Sequence, residues 1–189
     1  MINDVLLLES LKKFYSNEYY KKQLLSILKN EWNISLRSID WFITNYSKKN
    51  NIYYLVYETS SRRPTFNETN NLFIENLNVY HSYKSQLRAY SKKKFDPFCR
   101  RDRILFEFDK ENSYETTIGQ LNFFRWALSN LIIDYIEIHK KEIEDDMNTC
   151  LKIVKKDKKS NSRKKREELS LSATRGLKMN HVPIELEFN

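Results

Sequence analysis

Glycine and proline are almost missing, at 2 and 3 of 189 residues. Turns that need a positive φ must then be made by other residues, asparagine first, because its short polar side chain tolerates that conformation. The 2 cysteines, Cys99 and Cys150, form no CxxC pair, which excludes a disulfide scaffold and paired-cysteine zinc sites and points to a reducing compartment. No apolar run approaches the roughly 18 residues a membrane span needs. The opening MINDVLLLESLKKFY is cut by Glu9 and Lys12 and reads as a helix rather than a signal peptide. Walker, GxGxxG, HExxH and GxSxG patterns are absent, and His81, His139 and His181 are scattered. The sequence therefore names no catalytic residue, no metal ligand and no cofactor.

The composition that is present supports a core, at 40% apolar and 14% aromatic. Asn, Lys, Ile and Tyr are abundant, as in translation from an AT-rich genome, so part of the lysine excess is codon drift. Drift does not explain where the charge sits. Lys84–Arg103 carries net +6 and Lys152–Arg166 net +8, which leaves the rest of a +8 chain net −6. Two basic islands on an acidic body are the footprint of a polyanion-binding protein.

Periodicity predicts an α+β fold. Residues 1–50 read as a helical N-terminal subdomain, with Leu6, Leu7, Leu11 and Phe14 on one face and Leu24, Leu25 and Leu28 on another. Leu36, Ile39, Phe42, Ile43 and Tyr46 make a third stripe behind Ser35, a candidate N-cap. Short helices ending in lysines invite a helix-turn-helix reading, but plain helical bundles are commoner. Residues 51–154 read as an α+β core: strands at 52–58, 72–80 and 103–108, with YETTI as a return strand. A small, mainly antiparallel sheet would pack on a long helical segment, 118–154. That segment opens with a capping-box pattern at Thr117 and Gln120, carries a stripe from Leu121 to Leu151, and is open to a break at Ser129–Asn130. Phe123 and Trp126 lie off the stripe, which predicts burial on two sides. Residues 155–170 read as a basic arm or linker. In 171–189, HVPIELEFN alternates like a strand returning to the core sheet.

The candidate phosphate contacts follow from the islands. In 82–94, read as a helix, Lys84, Arg88 and Lys92 recur at i, i+4 and i+8, followed by Lys93 and Lys94. Pro97 stops that helix and bends the chain before Arg100 and Arg101. One of these two arginines should face outward and the other pair with Asp96 or Asp102, with Arg101 favoured outward. Tyr90, Phe95 and Phe98 are placed either to stack on bases or to pin the bend, burial being the better reading for the two phenylalanines. The arm adds Lys155, Lys156, Lys158, Lys159, Arg163, Lys164, Lys165 and Arg166. The loop 59–71 adds Arg62 and Arg63, as a surface loop or an arm reaching a phosphate backbone. Glu107, Asp109 and Lys110 do not make the E-x-K order of a metal-dependent nuclease, and on alternation Glu107, Asp109 and Arg103 share one strand face and read as its solvated side.

At YKSQLRAYSKKKFDPFCRR, TTIGQLNFFRWA and RKKREELSLSA the chain resembles a family of uncharacterised proteins of large cytoplasmic DNA viruses of protists. The resemblance covers roughly residues 35–188 and supplies no catalytic residues. It implies a viral origin and a location in the host cytoplasm or the virion interior, with the nucleus open because RKKR also suits an import signal. With the islands, the expectation is a sequence-nonspecific nucleic-acid-binding protein, for DNA before RNA, in genome packaging, replication or transcription. The alternative is a virion scaffold whose basic islands meet acidic viral proteins. A nucleic-acid-processing enzyme with a dispersed site stands behind both.

Overall fold

The computed structural model describes residues 4–29, 31–100, 102–108 and 113–160. The chain divides into two units, residues 1–149 and 150–189. The first is α+β. Helices α1 (Asp4–Tyr15) and α2 (Glu18–Leu28) are joined by a tight turn in which Asn17 caps α2, its side chain accepting from the Tyr19 N–H at 2.9 Å. They bury Leu7, Leu11, Tyr15, Tyr20, Leu24 and Ile27. Leu6, read as part of that face, is exposed instead.

Ser35 caps α3 (Leu36–Trp41) through the Ser38 N–H at 3.0 Å. The helix then widens into a π turn, Phe42–Tyr46, before a last α turn, α4 (Ser47–Lys49). Strand β1 (Tyr53–Glu58) is central in an antiparallel sheet of order β2-β1-β3, flanked by β2 (Pro64–Thr65) and β3 (Leu72–Asn78). The long 59–71 loop is thus not free: Pro64 and Thr65 fold back on Glu58 and Tyr57. A bulge at Val56/Tyr57 shifts the β1–β3 register.

Helix α5 (Val79–Tyr90) starts earlier than the alternating pattern suggests, because Asn78 caps it by accepting from the His81 N–H at 3.0 Å. A second, two-stranded sheet follows, β4 (Arg103–Glu107) with β5 (Ser113–Thr117), so the expected single sheet is two. The expected C-terminal strand lies outside the described residues.

Helix α6 (Ile118–Ser129) is the core. Leu121, Phe123, Phe124, Trp126, Ala127 and Leu128 are all buried, which covers more than one face, as the off-stripe Phe123 and Trp126 predict. Its cap is half a capping box. Thr117 accepts from the Gln120 N–H at 3.0 Å, but the Gln120 side chain turns elsewhere, accepting from Thr116 and donating to the Pro97 carbonyl. Tyr15 donates to the Leu121 carbonyl at 2.8 Å, so α1 is fastened to α6 inside one hydrophobic cluster.

The break falls at Asn130, whose amide donates to the Trp126 carbonyl. Leu131 then takes a left-handed conformation, φ 54° and ψ 24°, to start α7 (Ile132–Ile138). That conformation costs a branched residue on the order of 1–2 kcal/mol. Leu131 is buried, and the transfer of its side chain out of water offsets a cost of that size. Helix α8 (Lys140–Ser160) continues well past the position where a linker was expected. Lysine is a good helix former and no breaker intervenes.

Candidate nucleic-acid interface

The stretch from Val79 to Phe95 contains no carboxylate, and its cations fall on α5 and the corner after it. On α5, Tyr83, Leu87 and Tyr90 are half-buried against the core, which turns Lys84 and Arg88 outward into solvent. The helix ends at Ser91, φ 60° and ψ 166°. This reversal takes Lys92 off the expected i, i+4, i+8 row and starts a compact corner, residues 91–100.

That corner is held from below by the start of α6. Gly119 accepts from the Asp96 N–H at 3.2 Å, Asn122 donates to the Lys94 carbonyl at 2.9 Å, and Gln120 donates to the Pro97 carbonyl at 2.9 Å. A Cβ on Gly119 would sit 2.9 Å from the Lys93 carbonyl oxygen, so only glycine admits this approach. Phe95, 2% exposed, plugs into a ring cluster of Tyr83, Tyr90, Phe123 and Trp126. Burying such a side chain contributes about 1.5–3 kcal/mol. Tyr90 is structural too: it stacks on Phe95, and its hydroxyl accepts from Arg125, which also reaches Ser10 and Asn122.

The cations of this island divide into two groups. Arg100 donates from Nε and Nη2 to the two oxygens of Asp96, at 3.1 and 2.9 Å, and lies 4.5 Å over the Phe98 ring. It is the internally paired arginine, as expected, with Asp96 as its partner. Arg101 lies outside the described residues. Lys94 pairs with Asp4 on α1, and Arg103 with Glu115 across the β4–β5 sheet. Lys84, Arg88, Lys92 and Lys93 are exposed, and among the described residues none of the four makes an ion pair. In the 59–71 loop Arg62 is exposed at φ 56°, while Arg63 lies over the Tyr19 ring at 5.0 Å. Lys155, Lys156, Lys158 and Lys159 fall on the backbone of α8. Arg163, Lys164, Lys165 and Arg166 lie outside the described residues.

Sequence reasoning did not single out the concavity beside this surface. A cavity of about 630 Å³ opens between the end of α3, α5 and the corner, lined by Asp40, Thr44, Tyr83, Lys92, Phe95, Asp96, Pro97 and Arg100. Burial pushes the Asp40 carboxyl above its ordinary range; Arg100 and Lys92 pull it down and Asp96 pushes it up. Burial likewise raises the Tyr83 hydroxyl, and Asp40 and Asp96 add to the effect. The available signal was an acid set between Ile39 and Trp41 in an otherwise apolar run. Among the described residues no group of three His, Cys, Asp or Glu side chains converges as metal ligands would. Glu107 is exposed on β4, and Asp109 and Lys110 lie outside the described residues. Among the described residues, no helix is long and apolar enough to cross a membrane.

An α+β protein with an anchored cationic corner is therefore what the fold and this surface define. By sequence the chain belongs to a family of unknown function, DUF7197, whose model matches residues 2–186. It is similar to the uncharacterized protein L507 of Acanthamoeba polyphaga mimivirus, at 40% identity over 165 residues. The match covers 84% of this chain and 59% of L507, so the chain spans about three-fifths of that relative's length. A giant-virus relative agrees with the resemblance read from the sequence. No solved structure matches the chain.

Proposed function

We propose that the chain is a nucleic-acid-binding protein, for DNA before RNA, that holds phosphates without reading sequence and serves viral genome packaging, replication or transcription. In that role its place is the viral factory of the host cytoplasm or the virion interior. One observation carries the reading. Lys84, Arg88, Lys92 and Lys93 are exposed on an acid-free stretch whose backbone is fixed by a buried phenylalanine and by hydrogen bonds from α6. Cations left without carboxylate partners on a rigid support attract a polyanion at little ordering cost. By sequence, Lys155, Lys156, Lys158, Lys159 and the basic residues after them add positive charge to the chain.

The test is fluorescence anisotropy with single- and double-stranded DNA and RNA across salt concentrations. Phosphate contacts on duplex DNA predict a log–log slope of about −0.9 per neutralised phosphate. Absence of binding at low salt, or binding that ignores salt, overturns the reading.

A second reading rests on a separate surface. Leu72, Phe73 and Ile74 are exposed on β3, an edge strand of its sheet, at 65%, 54% and 48%. A strand edge that exposes three consecutive apolar residues ahead of Glu75 is a template for pairing with another chain, which favours a scaffold. Cross-linking and light scattering in the absence of nucleic acid test it.

A further inference from the structure

The cavity beside Lys92 is built for something more particular than a phosphate. Its two carboxylates differ in state. Asp96 is fully occupied: both oxygens accept from Arg100, and Oδ1 also accepts from the Phe98 N–H at 3.3 Å. Asp40 is half-buried, yet among the described residues its carboxylate accepts no hydrogen bond and joins no ion pair. Only its backbone carbonyl is engaged, accepting from Thr44 Oγ1 at 2.7 Å. The exposed part of this carboxylate is left to water, which a ligand with paired donors would displace.

We propose that this cavity receives one unstacked nucleobase of a single strand whose phosphates follow Lys84, Arg88, Lys92 and Lys93, and that guanine is the base it prefers. The inference rests on the nucleic-acid reading above. The volume lies within the range of small-ligand clefts. Tyr83 and Pro97 give the cavity an apolar wall, and Lys92 belongs both to the group of exposed cations without ion pairs and to the cavity lining, so a strand held by that group reaches the cavity mouth.

The choice of base follows from donor geometry. A carboxylate offers two acceptor oxygens and no donor. Guanine presents N1–H and the 2-amino group side by side, one donor for each oxygen. Adenine and cytosine set a single amino group beside a ring acceptor that repels the second oxygen, and thymine or uracil flanks its one N–H with carbonyls. A guanidinium from a protein partner would also offer two donors, but it would meet the charges of Lys92 and Arg100. Neutral guanine does not. Reading an unstacked base on its Watson–Crick edge is an established mode of single-strand recognition.

The experiment uses the full chain and fluorescein-labelled thymidine 12-mers carrying one central dG, dA, dC or deoxyinosine, in anisotropy titrations at fixed salt. The dG oligomer should bind at least about fivefold tighter than the dA, dC and all-thymidine strands, the lower end for a bidentate pair. Deoxyinosine, which lacks the 2-amino group, should lose most of that margin. Asp40→Asn should erase the preference without weakening the binding of the all-thymidine strand and without lowering the melting temperature. Equal affinity for all strands overturns the guanine pocket and leaves phosphate binding standing, as does a dG preference that survives Asp40→Asn. Failure of every strand while duplex DNA still binds overturns the pocket alone, and failure of duplex DNA and RNA as well overturns both.

Discussion

The outer face of α5 and the corner that follows it are both rich in lysine and arginine, yet from Lys94 onward that charge is used in the opposite way. On α5, Lys84 and Arg88 stand in solvent with no acid nearby in the sequence. In and after the corner, Lys94, Arg100 and Arg103 are committed to Asp4, Asp96 and Glu115. Formal charge is therefore a poor measure of charge available to a ligand. Part of this island fastens the structure, and the remainder is what a polyanion meets.

The largest effect is expected beneath both regions. Trp126 is 6% exposed, packs against Phe95, Phe123 and Tyr83, and donates from Nε1 to Ser82 at 2.9 Å. Trp126→Ala should cost about 3–5 kcal/mol, read as a lowered calorimetric melting temperature. A change below about 1 kcal/mol would mean that corner and helix do not share a foundation. Next, Gly119→Ala forces the Lys93 carbonyl away and should destabilise by about 1–3 kcal/mol. Faster hydrogen exchange should appear at the Asp96 amide, which Gly119 holds, and not at the α5 amides.

The comparison itself is tested by salt. Lys84→Gln with Arg88→Gln should flatten the slope on duplex DNA by about 1.8 at unchanged melting temperature. Lys94→Gln and Arg100→Gln should leave the slope alone and cost about 0.2–1 kcal/mol each, as exposed pairs do. If each of the four substitutions flattens the slope equally, the division of labour is wrong.

Acid separates two carboxylates with opposite responses. Hydrogen bonds from Lys49 and then Trp41 hold the Asp146 carboxyl below its ordinary range. Its stabilisation is thus fully present above the unfolded pKa, near 3.9, and is lost as pH falls through the lower folded value. Asp146→Asn should destabilise at pH 7, with the deficit closing in acid. Asp40 is raised by burial, so its ionised form opposes folding at pH 7 and that penalty fades as pH drops. Asp40→Asn should be neutral or slightly stabilising at pH 7. Urea titrations at both pH values check the pair.

Elements and caps were legible in the sequence because they are local. The α6 stripe, Ser35 and Thr117 as caps, and the Asn130 break follow from spacings within a few residues. The Arg100–Asp96 pair, at i, i+4, was within reach for the same reason. Where two local patterns competed, one was missed: alternation through LFIENLNVY hid the Asn78 cap, and the lysines from Lys155 read as an arm or linker although they suit a helix. The pairing of Lys94 with Asp4, and the cavity around Asp40, join segments far apart in the chain. No spacing rule announces such contacts, so the candidate site was legible as charge but not as geometry.

Ser91 has a consequence beyond this surface. Its φ 60°, ψ 166° lies in a region nearly reserved for glycine, with a cost of order 1–3 kcal/mol for other residues. Asn51, Arg62 and Asn70 also hold positive φ at exposed positions. With only 2 glycines in 189 residues, positions whose backbone favours glycine are held here by serine, arginine and asparagine instead. This leaves a thermostability reserve. Ser91→Gly and Arg62→Gly should each raise the melting temperature without touching the core, because glycine adopts these positive-φ conformations without a steric penalty.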